Sequence, residues 1–156
     1  MTTASTPGMT WEEECLPSLQ VRNDTGDLAL CVLWNLRERV TPYIPPPEQF
    51  ARLSIIGNLR TPLGLNWFIR GLWRLSNIQT VAIWGNDLAN TGRAMLGLWQ
   101  KGVSEDFRVP DFGWHLDTHI IPATSAIEDI RKLVHLRDIR GTAIRNLPGA
   151  LSDLPL

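Results

Sequence analysis

The chain reads as an α/β (or α+β) fold: a single three-layer domain with a mostly buried, mixed or parallel sheet between flanking helices. Three observations predict it. Near-continuous apolar runs recur at "DLALCVLW" (27–34), "FARLSIIGNL" (50–59) and "NIQTVAIWG" (77–85), the pattern of strands covered on both faces. Segments with apolar residues at helical spacing follow the second and third of them. Polar turns rich in Gly and Asn separate the two kinds, so strands alternate with helices.

Taken in order, residues 1–10 form a flexible, Thr/Ser/Pro/Gly-rich segment, and 11–156 form one domain, a length sufficient for a single core. The run 27–34 is the first strand. "VTPYIPPPEQ" (40–49) holds four prolines, which fix φ and remove donors, so it predicts an extended surface connection. The run 50–59 is a second strand ending at Gly57-Asn58. "TPLGLNWFIRGLWRLS" (61–76) places Leu65, Phe68, Ile69, Leu72 and Trp73 on one helix face, with Asn66, Arg70 and Arg74 on another. Thr61 and Pro62 suit its N-cap and first turn. After the third strand, "NTGRAMLGLWQKG" (90–102) is a helix stopped by Gly102. "THIIP" (118–122) reads as a short strand or extended piece. "TSAIEDIRKLVH" (124–135) is a helix capped by Thr124 or Ser125, with acids early and bases late. "LRDIRG" (136–141) is one last short strand.

Composition narrows the function classes. The formal net charge of −1 supplies no global field toward nucleic acid or an acidic membrane. No apolar run approaches the length that spans a bilayer, and "MTTASTPGM" lacks the apolar core of a signal peptide. A cytoplasmic, reducing location is the expectation. Cys15 and Cys31 are not in a CxxC or Cys/His ligand pattern, which disfavours zinc. Seven tryptophans imply a Trp-rich core or interface, or a pocket wall that stacks on a planar ring.

The candidate chemistry lies in two turns. In "AIWGNDLANTGRAML" (82–96) a buried strand enters a helix through Asn86, Asp87, Asn90 and Thr91, with Arg93 one turn in. Ligands of open α/β sheets bind past the strand carboxyl ends, and a helix amino terminus offers free N–H groups to an anion. The same residues also suit an Asx-turn and a helix cap. "GNLRTPLG" (57–64) repeats the arrangement with Asn58 and Arg60, so the two tips have the means to converge on one cleft. Neither turn matches GxGxxG or GxxxxGK[ST]. There is no GxSxG elbow. Cys31 sits in an apolar strand, and Cys15 follows "WEEE", whose charge raises a thiol pKa. "HLDTH" (115–119) is a weaker metal or acid–base candidate. Arg131, Lys132, Arg137, Arg140 and Arg145 make the carboxyl-terminal third locally basic.

"SIIGNLRTPLGLNWFIRGLWRLSNIQTVAIWGNDLANTGRAML" (54–96) resembles the core of the archaeal-type thymidylate synthase family, with "LALCVLWNLRERV" (28–40) upstream and "HLRDIRG" (135–141) downstream. "NWFIRG…NIQTVAIW" (66–84) is also similar to the standard bacterial thymidylate synthases. There Trp84 matches a tryptophan lining the nucleotide–folate cleft, and Gly64 replaces a glutamate. A third similarity, to the cobamide-carrying subunit of a methanogen methyltransferase, lacks the cobalt-ligating histidine, which would fall at Ala89–Asn90. The resemblance implies a thymidylate synthase-like fold that binds a pyrimidine deoxynucleotide and a folate or pterin derivative. It implies a pocket of Asn58, Arg60, Trp84, Asn86, Asp87, Asn90, Thr91 and Arg93. The family's catalytic thiolate lies beside a histidine in the carboxyl-terminal part, and no cysteine follows Cys31 here. The expectation is therefore a non-catalytic or site-completing subunit, in a homo- or hetero-oligomer with a related longer chain. The alternative is an interaction scaffold that keeps only the fold.

Overall fold

The computed structural model describes residues 19–35, 37–60, 62–110, 113–121 and 123–155. Their centre is a five-stranded mixed sheet in the order β1-β3-β2-β4-β5. The strands are β1 (Leu19–Val21), β2 (Leu28–Cys31), β3 (Leu53–Gly57), β4 (Thr80–Ile83) and β5 (His135–Asp138). Strands β3, β2, β4 and β5 run parallel, and β1 pairs antiparallel with β3 at the edge. Five helices flank them: α1 (Arg37–Val40), α2 (Pro62–Arg74), α3 (Thr91–Lys101), α4 (Thr124–Leu133) and α5 (Leu147–Ser152). The α/β class and the parallel centre agree with the alternation of apolar runs and helical patterns.

Both sheet faces are covered, which is why β2, β3 and β4 are buried at every residue. Ala29, Cys31, Ile55, Val81 and Ile83 face α2, α3 and α4, packing with Leu65, Phe68, Met95, Leu98 and Ile127. Leu28, Leu30, Leu53, Ile56 and Ala82 face the other way, against Val40 of α1, Phe50, and Leu147 and Leu151 of α5. Leu53 and Ile55 are two apart yet lie on opposite faces. The cause is a register shift: Leu28 pairs with Leu53 but Ala29 with Ile55, leaving Ser54 as the extra residue. The Ser54 carbonyl instead accepts the N–H groups of Arg22 (2.8 Å) and Asn23 (3.2 Å).

Several local expectations are corrected. Residues 118–121 form a turn, not a strand: the Asp117 carbonyl accepts from Ile120 (3.0 Å) and Ile121 (2.9 Å), and its carboxylate from the His119 N–H at 2.8 Å. Within 40–49, Thr41–Tyr43 is a 3-10 turn rather than extended chain. Asn66 and Arg70 on the polar stripe of α2 are buried, while Trp73 on its apolar stripe is exposed. Asn66 Oδ1 accepts the Asp117 N–H at 2.7 Å, a tertiary partner that satisfies it, and the Arg70 guanidinium lies 5.6 Å from the ring centre of Trp67 on the same helix. Helix α4 starts after an extended Ala123 without a side-chain cap. Thr124 and Ser125 are already inside its first turn, where their hydroxyls cannot reach the N2 and N3 donors. Thr61, the expected cap of α2, and residues 1–10 lie outside the described residues. Gly102 does stop α3, with φ 77° and its N–H donated to Leu98.

Candidate functional site

Parallel strands deliver their exits to one sheet edge. The chain leaves β2 toward α1 on one face, and leaves β3 and β4 toward α2 and α3 on the other. The β3–β4 connection also passes over β2 in the strand order. Such a reversal opens a crevice at the carboxyl ends of the strands involved. Here it lies around β2, and the two turns singled out above flank it.

Hydrogen bonds tie those turns together. Asn58 Nδ2 donates to the carbonyls of Leu33 (3.2 Å) and Asn35 (2.6 Å). Asn35 Oδ1 in turn accepts the Asn86 N–H at 2.8 Å, and Trp34 N–H reaches the Asn86 carbonyl at 3.2 Å. The buried Thr91 hydroxyl donates to the Leu59 carbonyl, joining α3 to the β3 exit. Gly85 makes this approach possible: its φ is +109°, and a Cβ there would stand 2.5 Å from Asn35 Oδ1 and 2.6 Å from the Val32 carbonyl. Leu33, with φ 50°, also holds the left-handed region that costs a branched residue free energy.

Each expected site residue has a definite place. Asp87 occupies the amino terminus of α3: its carboxylate accepts the N–H groups of Gly92 (2.9 Å) and Arg93 (3.0 Å). Arg140 neutralises it from the β5 exit, with Nη1 3.3 Å from Asp87 Oδ2 and Nη2 2.7 Å from Asp138 Oδ2. Those bonds hold Asp138 below the usual carboxylate range and Arg140 above the usual guanidinium range. The helix end that sequence offers to an anion is thus filled by the chain's own carboxylate. Asn90, the expected cap, has φ 60° and makes no side-chain cap bond. Trp84 is 5% exposed, sits in the core beside α5, and donates its indole N–H to the Thr142 carbonyl at 2.7 Å. No face of it is open to a stacking ring. Thr91 is likewise buried, whereas Asn86 and Arg93 are exposed.

The indole at the crevice is Trp34, 37% exposed. The Arg60 guanidinium lies 5.9 Å from its ring centre, within cation–π range, and Arg60 Nε is buried without a hydrogen-bond partner. Position was the available sequence signal for Trp34: it directly follows the most apolar strand, beside the sequence "NLRER". Arg37 stands near Arg60; its guanidinium is pushed below the ordinary value by burial and by the Arg60 charge, against an opposing pull from Glu38. Cys31 is fully buried at the end of β2, and burial pushes its thiol up to about 12. It is therefore a core residue and not a nucleophile. His115 reaches the Asp106 carboxylate at 3.4 Å on an exposed loop. Among the described residues no three His, Cys, Asp or Glu side chains group to hold a metal, and no helix is long and apolar enough to cross a membrane.

No protein-family model matches the chain, and no match was found among curated proteins.

Proposed function

We propose that this chain is a thymidylate synthase-like binding protein that takes a pyrimidine deoxynucleotide at the carboxyl edge of its sheet. A folate or pterin derivative is the second ligand class. The protein acts as a non-catalytic or site-completing subunit of a larger assembly. The observation that carries this reading is the meeting of the β2, β3 and β4 exits, where Arg60 lies over the exposed Trp34 ring. An indole face stacks on a heterocycle, a neighbouring guanidinium pairs with a phosphate, and Asn86 offers polar groups at the rim. The covalent step of thymidylate synthesis needs a thiolate. Cys31, fully buried in β2, does not supply one.

Calorimetry with dUMP, dCMP and a reduced folate tests the proposal, on the purified chain and on its complex with any co-purifying relative. Saturable binding that quenches Trp34 fluorescence is expected; absence of binding by both preparations overturns it. A scaffold function is the second reading. It is favoured by the self-filled amino terminus of α3 and by Trp73 and Leu133, which are 37% and 72% exposed beside each other's helices. Under it, Arg60→Ala leaves cellular function unchanged while Trp73→Ala disrupts an assembly.

A further inference from the structure

The sheet ends in two unlike edges. β1 is three residues long and none of it is fully exposed; Arg22, just beyond it, bonds the Pro45 carbonyl. β5 is exposed at His135, Arg137 and Asp138, and among the described residues it pairs with β4 alone. Two bonds fix which side of β5 faces inward. The His135 N–H donates to the Gln79 carbonyl at 2.8 Å and the Ile139 N–H to the Ile83 carbonyl at 2.9 Å. Backbone groups of successive strand residues turn to opposite sides, so residues 135, 137 and 139 serve β4. Leu136 and Asp138 therefore turn their N–H and C=O groups outward, and no described backbone group bonds them. Such an edge is a template for one more strand.

The side chains select which strand. Leu136 packs on the face that carries α2, α3 and α4, and Ile139 on the other, so by alternation His135 and Arg137 project on the Ile139 side. Arg137 is exposed and makes no ion pair or side-chain hydrogen bond among the described residues. Asp138, the acid of the strand, is already held by Arg140 at 2.7 Å. Lys132 before the strand and Arg145 after it are exposed as well. The edge thus presents positive charge that the chain itself leaves uncompensated. In an added antiparallel strand, His135 and Arg137 fall at the positions where facing side chains stand closest. A second copy of the chain fits badly there. Two-fold pairing of β5 with itself is antiparallel. The registers that keep the outward groups paired set Arg137 against Arg137, Asp138 against Asp138, or Arg137 against His135. None gives Arg137 a carboxylate, and like charges face to face hold copies of this edge apart.

We infer that β5 is a docking edge for an extended acidic segment of another protein, which adds antiparallel as an outermost strand. That segment carries acids at alternate positions, facing Arg137 and His135, with an apolar residue between them beside Leu136. Its main chain bonds the outward groups of Leu136 and Asp138. The inference concerns assembly and does not depend on the nucleotide reading of the crevice.

Amide shifts and hydrogen exchange of the isotope-labelled full chain test it, with the synthetic peptide Ser-Glu-Val-Glu-Val-Ser as probe. Saturable shifts of the Leu136 and Asp138 amides are expected, with their exchange slowed about tenfold or more. Amides left unmoved at millimolar peptide overturn the inference. The peptide Ser-Glu-Glu-Val-Val-Ser has the same composition without the alternation and should bind about tenfold more weakly. Equal binding reduces the edge to a general charge patch and overturns strand addition. Arg137→Glu should lose the protection given by the acidic peptide and gain it from Ser-Lys-Val-Lys-Val-Ser, whereas an unchanged preference for the acidic peptide overturns the charge assignment. Slow exchange of Leu136 and Asp138 without any peptide would mean that the edge is already covered, by the chain itself in a monomer or by a second copy if sedimentation gives a dimer. Either of those results overturns the inference too.

Discussion

Two exits on the same sheet edge treat charge in opposite ways. After β4 and β5 the chain closes on itself: Asp87 takes two N–H groups of α3 and the Arg140 guanidinium, and Arg140 also grips Asp138. After β2 and β3, Arg60 rests on an indole with its Nε buried and unsatisfied. In sequence the two turns look alike, each a strand, a Gly-Asn pair and a helix, with an arginine just before the first helix and in the first turn of the second. They differ because a carboxylate two residues past Gly85 reaches back into its own helix end, while "GNLR" has no acid to do so. A partly buried carboxylate with two N–H bonds and a cation is a finished structural unit. A partly buried guanidinium without an oxygen partner is an unfinished one.

Four perturbations break or sharpen that contrast. The largest effect is expected at the joint between the exits. Gly85→Ala places a methyl group against Asn35 Oδ1 and the Val32 carbonyl in a left-handed conformation, and should cost about 3 kcal/mol or more in urea unfolding. An ordinary stability there would mean that the exits are not locked together. Asp87→Ala strips the α3 terminus and leaves Arg140 with Asp138 alone; a loss of about 2 kcal/mol is expected, with Asp87→Asn intermediate because one acceptor remains. If phosphate then binds at the α3 terminus of Asp87→Ala, read from the Gly92 and Arg93 amide resonances, and leaves those resonances unmoved in wild type, the self-filled terminus is the reason for exclusion.

Arg60→Ala should behave in the opposite manner, with stability within about 0.5 kcal/mol of wild type but dUMP affinity down at least tenfold, about 1.4 kcal/mol. Equal losses of stability in Asp87→Ala and Arg60→Ala would erase the distinction between the exits. The smallest effect concerns pH. Arg140 lowers the folded-state pKa of Asp138 below its ordinary value of 3.8, so this pair's stabilisation is complete above that value and is lost as pH falls through the lower folded-state value. The pair is largely solvated, so the contribution is under about 1 kcal/mol. The stability gap between wild type and Asp138→Asn should therefore shrink between pH 5 and pH 2, and a gap that widens on acidification contradicts the pairing.

Much of the architecture is written in local pattern. The runs 27–34, 50–59 and 77–85 contain β2, β3 and β4, and the helical spacings at 61–76, 90–102 and 124–135 contain α2, α3 and α4. Apolar periodicity is enforced by burial within a few residues, so one sequence carries it. β1 has only three residues, and its signal is too short to separate from a loop. The candidate residues were legible as a group, because strand exits of parallel neighbours must share an edge. Their individual roles were not.

What the sequence by itself determined is the α/β alternation, the covered sheet and the edge at which polar residues gather, all consequences of near-neighbour spacing. Only the tertiary structure decided that Trp84 is core and Trp34 open, that Asp87 and not Asn90 finishes α3, and that Ser54 shifts β3 so that Leu53 and Ile55 face opposite layers. The Trp84 and Ser54 outcomes depend on partners more than 20 residues away, and the choice of Asp87 over Asn90 turns on the left-handed backbone of Asn90, which carries its side chain away from the cap position.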